Sequence, residues 1–125
     1  MHMTKFTRLS EVLATGWCQY YEASNIQGMG VVPNSPRAVS WCIGGAAQRL
    51  MRDSPSWDPL QFLNHLFKRL NPTRTPGMSV YITLIAYNDA QGRTQAEVVA
   101  LIKEVEAEIE AIAKANIPSK QEALQ

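Results

Sequence analysis

The chain has 125 residues and a mass of 13.9 kDa, the size of one domain with one core. An apolar fraction of 46% and a charged fraction of 18% match globular usage and exclude a disordered chain, a disulfide scaffold and a polybasic binder. The net charge of +1 supplies no long-range field toward nucleic acid or an acidic membrane.

In chain order, Met1-His2-Met3 reads as start or cloning residues, which places a single helical domain at 4–116. The start lacks the apolar core of a signal peptide, and no run of 18 apolar residues occurs that could span a bilayer. With only Cys18 and Cys42 as cysteines, these features point to a cytoplasmic protein with reduced thiols. The first helix is expected from Thr7 to Gly16, with Phe6, Leu9, Val12 and Leu13 on one side and Gly16 as its stop. Residues 18–34 carry Gly28, Gly30 and Pro33 without helical spacing, and a small hairpin through Tyr20-Tyr21 and Val31-Val32 fits them. Ser35-Pro36 is a helix-start signal, and Val39, Cys42, Ile43, Ala46, Ala47 and Leu50 follow as one apolar stripe.

Asp58-Pro59 repeats the start signal, with Leu60, Leu63, Leu66, Phe67 and Leu70 on one face and Asn71-Pro72 as the end. Residues 79–87 are β-branched and aromatic enough for a strand, yet Tyr81, Leu84, Ile85 and Asn88 keep helical spacing behind Ser79. Thr94-Gln95-Ala96-Glu97 is a capping box, and Val98, Leu101, Ile102, Val105, Ile109 and Ile112 form the seam of the last helix. Its glutamates 104, 106, 108 and 110 read as a solvated face, and the tail from 117 to 125 is expected to fray. The expected fold is mainly α: a compact domain of four to five helices with a small β-hairpin at 18–34. The alternative is α+β, with 79–87 as a strand.

Two segments together resemble a known pattern. Ala38-Val39-Ser40-Trp41-Cys42-Ile43-Gly44-Gly45-Ala46 is similar to the element A-V-x-W-C-x-x-G-A of an uncharacterised domain family of bacteria and their phages. Tyr87-Asn88-Asp89-Ala90-Gln91-Gly92-Arg93-Thr94-Gln95-Ala96-Glu97-Val98 resembles that family's W-N-D-x-x-G-R-T-x-x-E-V, with Tyr87 in place of tryptophan. The resemblance spans residues 7–113, is loose over 54–80, and implies a helix before the Asn-Asp pair. It carries no activity.

The chemistry-bearing residues each have a plain reading beside a functional one. Asn88, Asp89 and Gly92 suit a tight turn, whereas Arg93 at the helix start behind Thr94 could hold an anion or a nucleotide derivative. Turn chemistry alone accounts for every residue type there. Cys42, as a nucleophile, would need a base such as His65 or Asp89, but its place in the apolar stripe marks a core filler. Gly44 and Gly45 in mid-helix would admit a neighbouring backbone, from this chain or another, or a ligand. Trp17, Tyr20, Tyr21 and Trp41 read as core and rim, or as walls of a pocket under the 18–34 loop.

No metal-ligand spacing and no cofactor fingerprint is present. Residues 1–93 hold nine basic and five acidic side chains, and 94–125 hold three and six. Arg49, Arg52, Lys68, Arg69 and Arg74 could form a basic face, but the Pro55 linker departs from a helix-turn-helix and argues against nucleic acid. No residue set fixes a reaction. The expectation is a small non-catalytic binding or regulatory module, forming homo-oligomers and taking a small-molecule or anionic ligand near Trp17, Trp41, Asn88, Asp89, Arg93 and Thr94. The alternatives are a cysteine-dependent enzyme using Cys42 and an anion binder at the start of the 94–113 helix.

Overall fold

The computed structural model describes residues 5–73, 77 and 79–124, with side chains described through Ala115. The start residues 1–3 and Arg74 of the expected basic face lie outside the described residues. Five helices and a small antiparallel sheet make up the mainly α fold: α1 (Leu9–Thr15), β1 (Ala23–Ser24), β2 (Gly30–Val31), β3 (Ser40–Trp41), α2 (Ile43–Asp53), α3 (Pro59–Leu70), α4 (Val80–Asn88) and α5 (Gln95–Leu124). Helix α1 packs on α2 and α5, α3 on α4 and α5, and α4 also on α2. Leu9, Val12, Leu13, Ile43, Leu50, Leu66, Val98, Ile102 and Val105 fill the space between them and are closed to solvent.

The sheet has the order β2-β1-β3, with Ala23 opposite both Val31 and Trp41. The hairpin is therefore real but sits inside the expected one, pairing Ala23–Ser24 rather than Tyr20-Tyr21. Its turn is built by Asn25, whose Oδ1 accepts from Gln27 N and Met29 N at 3.0 and 2.9 Å, while Gly28 takes a left-handed φ of 79°. Trp17 and Trp41 form a parallel bridge, so the two Trp-Cys dipeptides lie side by side. Cys18 N donates to Trp41 O, and Trp41 N donates to Gly16 O.

Several expectations are corrected. Helix α2 starts at Ile43, not at Ser35-Pro36. Ser35 instead closes turns with Val32, Arg37 and Ala38, and residues 40–41 are drawn into the sheet by β1 and by burial of Trp41. Gly44 and Gly45 thus lie in the first turn of α2. A side chain at Gly45 would overlap the Glu22 carbonyl, so this patch receives the chain's own backbone. Gly16 ends α1 with extended backbone, and its necessity is steric, because a Cβ there would overlap the Val39 carbonyl.

In α3 the Asp58 cap is as expected, accepting from Gln61 N at 3.1 Å, but Leu60 is 73% exposed and Phe62 is buried in its place. Residues 80–88 are helical, capped by Ser79 Oγ accepting from Ile82 N at 3.0 Å, so the strand alternative is excluded. The backbone of α5 continues through the tail expected to fray, in a stretch of helix-forming Lys120, Gln121, Glu122 and Ala123.

The glutamates of α5 are partly solvated, as expected for Glu104 and Glu110, but all four also reach partners outside α5. Glu106 accepts from Ser10 N and Oγ, Glu108 meets His65 and Arg69, Glu104 meets Arg69, and Glu110 pairs with Arg8 at 2.9 Å. The basic face dissolves. Arg49 is buried against Asp53 and the rings of Phe6 and Trp41, and Arg52 donates to Asn34 O. Among the described residues, no helix is long and apolar enough to cross a membrane.

Candidate functional site

Three helices leave a cleft of about 350 Å³ between them. Helix α2 lines it with Ile43, Gly44, Ala47, Gln48 and Met51, α3 with Pro59 and Leu63, and α4 with Val80, Tyr81, Leu84, Ile85 and Asn88. These are i, i+4 stripes, the faces that helices present when they bury one side. One end is lined by Tyr20, Tyr21 and Glu22 from the loop before β1, together with Cys42 and Asp89, and the exposed tyrosines form its mouth.

Asn88 holds that end together. Only 2% exposed, it uses both halves of its amide. Oδ1 accepts from Trp17 Nε1 at 2.9 Å and Ile43 N at 3.1 Å, and Nδ2 donates to Cys18 O at 3.1 Å and Asp89 Oδ1 at 2.9 Å. One side chain thereby joins α4 to the Trp17-Cys18 segment and to the start of α2. Asp89 Oδ1 also accepts from Tyr20 N at 3.0 Å, which secures Tyr20 in a left-handed conformation at φ 74°, rare outside glycine and asparagine. Gln19 Nε2 donates to Asn88 O and Ala90 O at 3.1 and 3.0 Å.

Of the expected site residues, Cys42, Asn88 and Asp89 meet at the cleft. Trp17 reaches it only through Asn88, and Trp41 lies in the core, its indole donating to Pro33 O at 2.9 Å. Arg93 and Thr94 are elsewhere. Arg93 lies over the Tyr87 ring at 3.8 Å, donates to Tyr87 O and reaches Glu97 rather than Asp89. Thr94 makes the expected capping box, its N–H donating to Glu97 Oε1 at 3.0 Å and its Oγ accepting from Glu97 N at 3.2 Å. Arg93 and the Thr94 hydroxyl are thus engaged within the chain.

Cys42 is the N-cap of α2, with Sγ accepting from Gly45 N at 3.3 Å, rather than a mid-stripe filler. Burial pushes its thiol above the ordinary cysteine range, and the nearby Asp89 pushes the same way. His65 belongs to another face, 3.1 Å from Glu108, so the Cys42–His65 dyad does not form. Cys18 and Cys42 are both free thiols. No cluster of three or more metal-ligating His, Cys, Asp or Glu occurs among the described residues.

Sequence reasoning missed Met51, Leu63, Val80, Tyr81, Ile85 and Glu22 as site residues. One signal was available: residues 80–87 are apolar all round, more than a single core face needs. The profile of a family of unknown function, DUF6197, matches residues 5–108. The chain belongs to DUF6197. The span that DUF6197 matches takes in every residue lining the cleft. No curated protein and no solved structure matches the chain.

Proposed function

We propose that this protein is a small non-catalytic binding module that receives an apolar ligand in the cleft between α2, α3 and α4, working in the cytoplasm with both thiols reduced. The observation that carries this reading is the convergence of three apolar i, i+4 stripes on one open space, while the buried polar group at its end, Asn88, is fully spent on structure. Reaction centres need a free, activated group. The Cys42 thiol is instead held as a cap and shifted away from the thiolate, which weighs against the cysteine-enzyme reading.

The test uses Gly44, where a new Cβ meets only Cys42 Sγ, at 3.9 Å. Gly44→Leu extends a side chain into the cleft without a backbone clash. Apolar fragments that raise the melting temperature of the parent protein are expected to lose that effect in this variant, with the fold intact by circular dichroism. Equal binding to parent and variant would place the ligand elsewhere.

A second reading, self-association, is favoured by the rim. Tyr81, Ile82 and Ile85 on α4 are 64%, 58% and 50% exposed, a contiguous apolar helix face. Sedimentation at micromolar concentration is expected to show a dimer that Ile82→Glu returns to monomer. A parent that sediments as a strict monomer removes this reading.

A further inference from the structure

The cleft is apolar in its body and of one sign at its end. Glu22 and Asp89 line it, and among the described residues no lysine, arginine or histidine does. Neither carboxylate meets a cationic side chain among the described residues. Asp89 uses Oδ1 for Tyr20 N and Asn88 Nδ2, and its Oδ2 has no partner there. Glu22 accepts through Oε2 from Gln48 Nε2, a neutral donor.

The helix termini at this end oppose one another. Helix α4 ends at Asn88 and brings its negative end to this part of the cleft. The positive end of α2 lies there too, with Ile43 N and Gly45 N donating to the neutral acceptors Asn88 Oδ1 and Cys42 Sγ, so the two helix ends offset and the carboxylates set the sign. Tyr20 and Tyr21 stand beside the carboxylates with π-systems that attract cations.

We infer that the ligand of this cleft is an organic cation: an apolar body held between the three helices, with a protonated amine or quaternary ammonium at Glu22 and Asp89. This rests on the cleft being the binding site. A carboxylate or phosphate at the same place would meet two like charges. A neutral ligand would cover the half-buried Asp89 without supplying a counterion.

Three probes with one skeleton separate the cases: 4-phenylbutylamine, 4-phenylbutan-1-ol and 4-phenylbutanoate, titrated by protein-observed NMR at constant ionic strength. The amine is expected to bind about tenfold more tightly than the alcohol, with the carboxylate weakest. In Glu22→Gln/Asp89→Asn, which keeps an oxygen for Gln48 and for Tyr20 N, the amine and alcohol are expected to bind alike. Glu22→Gln alone, at an exposed position, should remove part of the preference if the double variant fails to fold.

Equal binding of amine and alcohol to the parent overturns the cation and leaves the cleft reading standing. An amine preference that survives loss of the carboxylates also overturns it. Binding of none of the three at millimolar concentration, or binding outside the cleft, overturns the cleft reading and this inference together.

Discussion

Asn88 shows how much one amide can decide. Its type and its neighbour Asp89 mark a turn in the sequence, and the helix of α4 does end there. Its partners lie at positions 17, 18 and 43, and no local rule connects residues so far apart in the chain. Asn88→Asp tests the arrangement. The variant keeps an acceptor for Trp17 and Ile43 but sets a carboxylate against Asp89 Oδ1 in a buried site. Its folded pKa is raised above the unfolded value of about 3.9, so its full stability exists only in acid and falls as pH rises through and beyond that value. In paired urea titrations the variant is expected to be least stable relative to the parent at pH 7, by about 3 kcal/mol, with the gap narrowing toward pH 4. A gap that does not vary with pH would mean that this carboxylate titrates alike in the folded and unfolded states, so that the site does not resist its charge.

At the scale of elements, the most instructive difference is the start of α2. Ser35-Pro36 carries every local sign of a helix start, and the apolar spacing from Val39 to Leu50 continues it. The strand β1 competes for residues 40–41 and wins, because pairing satisfies their backbone while Trp41 enters the core. Periodicity cannot register a strand partner elsewhere in the chain. By contrast, Asp58-Pro59 and Thr94–Glu97 start helices as read, since each cap is made within three residues of itself. The two adjacent glycines of α2 separate two roles that the sequence shows alike. Gly45→Ala, forced against the Glu22 carbonyl, is expected to cost about 1–3 kcal/mol. Gly44→Ala has room and is expected to be neutral, or stabilising by up to about 1 kcal/mol. Thermal melts of the two variants check the contrast, and similar losses in both would contradict it.

For the molecule as a whole, the surplus of basic residues before position 94 and of acidic ones after it was legible from the chain. Its destination was not. The acidic middle of α5 faces Arg8, His65 and Arg69, so the net charge of +1 conceals an internal cancellation between α5 and the body it lies on. Glu108 is held below the ordinary glutamate range by its hydrogen bond with His65 and then by those from Arg69. A lowered folded pKa means stabilisation that is present above the unfolded value of about 4.3 and lost as pH falls through the folded one. Melting temperature is therefore expected to fall below about pH 4, and Glu108→Gln should flatten that decline while lowering stability at pH 7. An unchanged acid limb in the variant would show that these contacts contribute nothing. The cleft was the least legible feature at this scale. Its walls come from three helices and a loop, and only their packing turns separate apolar stripes into one space.

The bridge between Trp17 and Trp41 closes residues 18–40 into a loop whose two ends leave the helical body side by side. Lengthening such a loop is inexpensive, since each doubling costs only about 0.6 kcal/mol in closure entropy. An insertion at the tip between Asn25 and Met29 is thus expected to leave the helices undisturbed. The stem of the same loop carries Tyr20, Tyr21 and Glu22 to the mouth of the cleft. That stem is fixed to the helical body, with Tyr20 N donating to Asp89 and the Glu22 carbonyl accepting from Cys42 N, so the loop can lengthen at its tip while its base keeps its place.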